Sequence, residues 1–132
     1  MVTTRYGMSE YYSEELTDWY KALTFHKAES GDFERRLSQA LKSRESGELL
    51  EKEGGALLDL FLVQHQRFDH LHHQIESQQH RLGQNVPGME SAIENPIVYQ
   101  QNSLRSRMQS VEKEFIRTKY NGYLFLCSVL KD

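Results

Sequence analysis

Five of the six histidines lie between residues 65 and 80, in a stretch that also carries Asp69 and Glu76. At about 100° per residue, His65, Asp69, His72, Glu76 and His80 share one helical stripe, with His73 at its edge. The spacing His65-x3-Asp69-x2-His72-x3-Glu76 sets imidazole and carboxylate groups alternately one turn apart. Such groups at i and i+3 or i+4 can converge on one divalent cation, and His26 and Glu29 on a neighbouring helix would complete the set. The plainer chemistry is a solvated face with local ion pairs, and it is the one expected here. The stripe lies about 100° from the apolar seam of Phe61, Phe68 and Ile75, so it flanks a core instead of entering it. Di-iron bundles place paired Glu-x-x-His motifs on four helices, and this sequence contains no Glu-x-x-His.

The remaining reactive side chains point the same way. Cys127 stands in the apolar run 123–127 with no obvious base, which predicts a buried, inert thiol. Arg105, Arg107, Lys113, Arg117 and Lys119 scatter around their helix among Glu112 and Glu114, which describes a solvated face and not a phosphate-binding stripe. No motif specifies a reaction. The expectation is a non-enzymatic protein with no cofactor and no bound metal.

Composition narrows the fold. The chain has 132 residues, of which 38% are hydrophobic and 27% charged, with a net charge of -3, two prolines and one cysteine. Leu, Glu and Gln far outnumber Val, Ile and Thr, which favours helices over strands. A single cysteine forms no internal disulfide. The acidic balance argues against a nucleic-acid partner, and no apolar run is long enough to span a bilayer. A soluble cytoplasmic protein with neither nucleic acid nor membrane as partner is expected.

Both prolines fall within residues 83–96, leaving long proline-free stretches on either side. Ser9 is placed to cap a first helix, residues 43–47 (SRESG) read as a turn, and Ser46 is placed to cap a second helix ending before Gly83. Asn95-Pro96 supplies a cap and a first helical residue for a third. The expected helices are about 10–44, 47–82 and 96–131 with a loop over 83–95, each roughly 35 residues or about 50 Å long. Gly31, Gly54, Gly55 and Gly122 sit awkwardly in this scheme, and Gly54-Gly55 suggests that the first connection extends further.

Inward positions alternate in steps of four and three. In the first helix they are Tyr12, Leu16, Trp19, Leu23, His26, Ser30, Phe33, Leu37 and Ala40. In the second they are Leu57, Phe61, Gln64, Phe68, Leu71, Ile75, Gln78 and Leu82. In the third they are Ile97, Gln101, Leu104, Met108, Val111 and Phe115, then drifting to Ile116, Tyr120 and Tyr123. The mean step of about 3.5 residues is the coiled-coil period. His26, Ser30 and Gln64 occupy seam positions, where polar groups fix register. The expected fold is all-α: an antiparallel up-down-up three-helix bundle, one domain, with coiled-coil-like seams.

Trp19-x3-Leu23-x2-His26-x2-Glu29-x3-Phe33, the stretch 64–75 (QHQRFDHLHHQI) and 112–115 (EKEF) resemble short uncharacterised helical-bundle proteins of Bacteroidetes-type bacteria. The resemblance implies a helical bundle and carries no activity, so no functional residue follows from it.

In such a bundle one pole gathers residues 33–41, 49–63 and 123–130. Runs such as LLDLFLV (57–63) and YLFLCSVL (123–130) hold more apolar side chains than a three-helix core can bury. The surplus is covered by the N-terminal tail, by another protein surface, or not at all. The second is expected, as a homodimer or protein-partner interface built from Leu57, Leu58, Phe61, Leu62, Leu124, Phe125 and Leu130. The opposite pole collects Tyr11, Tyr12, Trp19 and Tyr20 beside Gln78, Gln79, His80, Val98, Tyr99 and Gln101, and packing is expected there.

Overall fold

The computed structural model describes residues 2–43, 47–84 and 95–130, with side chains over 8–42, 47–84 and 95–129. Three helices make up almost all of it: α1 (Val2–Ser43), α2 (Glu48–Gln84) and α3 (Asn95–Leu130). No strand occurs among the described residues. Each helix packs on the other two, so the chain is an all-α three-helix bundle. Among the described residues, no helix is long and apolar enough to cross a membrane.

The helix ends differ from expectation in ways that backbone chemistry explains. α1 begins at Val2, so Ser9 lies inside the helix and is not its cap. In that first stretch Gly7 disfavours helix by about 1 kcal/mol, and β-branched Val2, Thr3 and Thr4 by less. At the start of α2 the Gly47 carbonyl accepts hydrogen bonds from the Leu50 and Glu51 amides at 3.1 and 3.2 Å, which puts Gly47 at the cap position. Ser46, with the middle of the turn expected over 43–47, lies outside the described residues. Glu48 and Glu51 occupy the first turn, where negative charge meets the positive helix end. α2 then runs unbroken through Gly54 and Gly55 and past Gly83 to Gln84, so neither the twin glycines nor Gly83 ends a helix. Most of the expected 83–95 loop lies outside the described residues. Pro96 sits in the first turn of α3, where its missing N–H has no partner to lose.

The inward residues of α1 and α2 follow the four-three rhythm. On α2, Phe61, Gln64, Phe68, Leu71, Ile75, Gln78 and Leu82 are all buried and Leu57 is half-buried. On α1, Tyr12, Leu16, Leu23, Ser30 and Leu37 are buried, with Trp19, His26, Phe33 and Ala40 half-buried. α3 follows through Phe115 and then departs. Its buried residues continue as Thr118, Gly122, Phe125 and Val129, while Ile116, Tyr120 and Tyr123 are exposed. The seam does not drift. It keeps its rhythm through Thr118, whose hydroxyl accepts a hydrogen bond from Gln64 at 2.7 Å, and through Gly122, whose bare backbone admits the rings of Phe61 and Phe33.

Two glycines mark the closest approaches. A Cβ on Gly54 would stand 2.8 Å from both Leu41 Cδ2 and Phe125 Cζ, and one on Gly122 would stand 3.0 Å from Phe61 Cε2 and 3.2 Å from Phe33 Cδ1. Glycine at these points lets α2 and α3 receive side chains against bare backbone. Around them the rings of Phe33 and Phe61 stack at 4.8 Å, and Phe115 meets both Phe61 and Phe68 edge-on.

Polar contacts record how the helices are matched. Between α1 and α2, the Tyr20 carbonyl pairs with His72, Lys27 with Asp69 and Glu34 with His65, and Leu41 approaches Gly54. Between α2 and α3, Gln78 pairs with Gln101, Arg67 with Glu114 and Gln64 with Thr118. Along α1 and α3, Glu15 meets Arg105, His26 meets Glu112 and Glu29 meets Lys119.

Candidate functional site

The six candidate metal ligands are distributed over separate pairings. His72 is buried, unlike the rest of its stripe. Its Nε2 donates to the Tyr20 carbonyl at 3.0 Å, and its Nδ1 lies 3.0 Å from the Lys27 Nζ. An ammonium only donates, so Nδ1 supplies the lone pair and the ring is assigned as the neutral Nε2–H tautomer. That lone pair is therefore already engaged. His65 Nδ1 pairs with Glu34 at 2.8 Å, Asp69 with Lys27 at 2.8 Å, and exposed Glu76 stands 3.6 Å from His73. His26 Nε2 meets Glu112 at 2.8 Å, while Glu29 is 3.7 Å from His26 Nδ1 and pairs with Lys119 at 3.1 Å. Among the described residues no three His, Cys, Asp or Glu side chains gather in a way that could hold a metal ion. His26 and Glu29 thus face α3, and it is Lys27 that reaches His72. A lysine in the interhelical gap turns the alternating stripe into cross-helix clamps.

Lys27 holds the Asp69 carboxyl below its ordinary value, chiefly by hydrogen bonding and further by its charge, against an opposing effect of burial. A depressed carboxylate pKa contributes stability that is present above the unfolded-state value and is lost as pH falls through the folded one. The stability advantage of the wild type over Asp69→Asn is therefore expected to hold at neutral pH, to begin to fall near pH 4 and to be lost as pH drops further through the lowered folded-state value. Asp69 is half exposed, so the advantage is about 0.2–1 kcal/mol. Urea titrations of both chains across that range test it, and a difference that grows on acidification would contradict it.

The tyrosine–glutamine pole is a wired layer. Gln78 Nε2 donates to the Ile97 carbonyl at 2.8 Å and to Gln101 Oε1 at 3.0 Å. Gln101 Nε2 in turn donates to Glu15 Oε1 at 2.9 Å and to the Tyr12 carbonyl at 3.3 Å. Arg105 grips both oxygens of Glu15, which raises the guanidinium pKa further, chiefly by hydrogen bonding. Gln78 Oε1 is buried without a partner, and the other bonds of this layer tie all three helices together and fix their register.

The seven residues of the expected apolar surface separate by depth. Phe61 and Phe125 belong to the core, and Leu57 and Leu58 are half-buried against it. Leu62 and Leu124, each one residue from a buried phenylalanine, are exposed. The Leu130 side chain lies outside the described residues. An unbroken apolar run wraps a helix completely, so only every third or fourth member points inward.

An outward apolar face that includes Leu124 lies on the C-terminal half of α3. Ile116, Tyr120, Tyr123 and Leu124 are 52–65% exposed. At 100° per residue they cluster on the side away from Phe115, Thr118 and Phe125. Cys127 shares that face and is exposed, contrary to the buried thiol expected from its apolar neighbours. Tyr120, Tyr123 and Leu124 join Glu29, Phe33 and Lys119 in lining an open groove of about 390 Å³ between α1 and α3. Sequence reasoning assigned Ile116, Tyr120 and Tyr123 to the core. The signal that separates the two faces is the unbroken series Val111, Phe115, Thr118, Gly122, Phe125 and Val129, legible once threonine and glycine count as inward residues.

The fold and these surfaces define a three-helix protein with an apolar outer face on α3. No family model, curated protein or solved structure matches the chain.

Proposed function

We propose that this chain is a non-enzymatic interaction module, an antiparallel up-down-up bundle with coiled-coil-like seams that self-associates as a homodimer in the cytoplasm. The antiparallel course is supported by pairings whose α2 numbers fall as those on α1 rise, from Tyr20 with His72 to Leu41 with Gly54. The seams are supported by burial at alternating steps of four and three.

The observation that carries the functional reading is the exposed face of Ile116, Tyr120, Tyr123 and Leu124. Four such side chains leave on the order of 500 Å² per copy in water. Two copies together reach about 1,000 Å², the lower bound for a specific interface. The N-terminal residues, from Val2 onward, continue α1 beyond Tyr12, at the far pole.

The combined variant Ile116→Glu, Leu124→Glu places two charges on this face without touching a buried side chain. It is expected to weaken self-association by about 100-fold or more, roughly 2.7 kcal/mol, with helicity unchanged. Sedimentation equilibrium with circular dichroism measures both. A variant that associates as tightly as the wild type would remove α3 from the interface.

A further inference from the structure

Resting on the self-association proposed above, we infer its geometry: the α3 helices of two copies pair antiparallel, about a twofold axis passing between Tyr120 and Tyr123. Ile116, Tyr120, Tyr123 and Cys127 follow one another in steps of four, three and four, and all are exposed. This is a second coiled-coil rhythm on α3, separate from the series Phe115, Thr118, Gly122, Phe125 that faces the core. A face with period 3.5 fits a second helix lying alongside it. The exposed side chains of this face bring enough area for one dimer.

Charge selects the direction. Stepping back by three from Ile116 along the same seam reaches Lys113, which is exposed, and Arg117 and Lys119 flank it. In a parallel pair the two Lys113 side chains would stand against each other. In the antiparallel pair the two Lys113 residues lie about 25 Å apart along the axis, well beyond a Debye length of about 8 Å at physiological salt. Opposed helix dipoles add to the same preference. Ile116 then comes level with Cys127 of the second copy, and Tyr120 with Tyr123.

Cys127 is the only cysteine in the sequence, so it reports on this arrangement directly. In the antiparallel pair the two Cys127 residues are separated by about 16 Å along the axis, too far for a disulfide. A cysteine at position 116 would lie level with Cys127 of the other copy, yet about 16 Å from Cys127 of its own chain. Treated with oxidised glutathione, Ile116→Cys is expected to form a covalent dimer at least tenfold faster than the wild type. The double variant Ile116→Cys, Cys127→Ser is expected to form none. Circular dichroism confirms that the variants keep their helicity, and light scattering under reducing conditions gives the non-covalent mass of the same samples. Rapid cross-linking of the wild type through Cys127 alone would establish a parallel pair and overturn the inference. A reduced dimer in which Ile116→Cys gains no cross-link would overturn this geometry while leaving self-association standing. A monomer at every concentration would overturn both.

Discussion

Phe61→Ala is expected to destabilise the fold by about 3–5 kcal/mol, a loss typical of removing a buried aromatic ring. Phe61 is fully buried and is the point at which all three helices meet. Its ring stacks on Phe33 of α1 at 4.8 Å, meets Phe115 of α3 edge-on at 6.1 Å, and closes against the bare backbone of Gly122. Its carbonyl accepts a hydrogen bond from the buried Ser30 hydroxyl at 3.3 Å. Truncation would leave a cavity walled by two other rings and a helix backbone, none of which can move inward without parting from other contacts. Since domains of this kind are stable by only about 5–15 kcal/mol, a large share of the total is at stake. Chemical denaturation of the two chains measures the difference, and a loss below about 1.5 kcal/mol would mean that the ring is less enclosed than described.

Gly122→Leu is expected to cost about 3 kcal/mol, even though leucine favours helix over glycine by nearly 1 kcal/mol. A Cβ there already stands 3.0 Å from the Phe61 ring and 3.2 Å from that of Phe33, so three further carbons have nowhere to go. Because the leucine would press on the ring that Phe61→Ala removes, the double variant should be more stable than the sum of the single effects by at least about 1 kcal/mol. Gly31 and Gly55 provide the control. A Cβ at either meets nothing within 4 Å, so Gly31→Ala and Gly55→Ala should each raise stability by about 0.5–1 kcal/mol. Strict additivity of Phe61→Ala with Gly122→Leu would contradict the contact between them.

The same two kinds of residue explain what was and was not legible in the sequence. The three helices could be read because proline is confined to one window and the apolar periodicity is strong on either side of it. The seams of α1 and α2 could be read because leucine, phenylalanine and isoleucine alternate there with an even step. The glycines misled, since glycine is read as a breaker by propensity, whereas Gly54 and Gly122 are inward residues selected by the closeness of other side chains. Propensity is local, and the reason for these glycines lies on another helix. α3 was misread below Phe115 for the same cause: exposed Ile116, Tyr120 and Tyr123 are large and apolar, while buried Thr118 and Gly122 are not. The histidine stripe lies beside the core except at His72, which is buried, and the lysine that clamps both His72 and Asp69 comes from α1, which no spacing within residues 65–80 records. The apolar pole was visible as an excess of leucine and phenylalanine. Which members face outward depended on the rotational phase of each helix, and one residue's error in phase turns a side chain by 100°.

The account stands most directly on whether the outer face of α3 draws two chains together. Light scattering of the wild-type protein over a rising concentration series measures this without any substitution. A mass climbing from 15.5 kDa toward twice that value is the predicted result, and a mass that stays at the single-chain value into the millimolar range would contradict it.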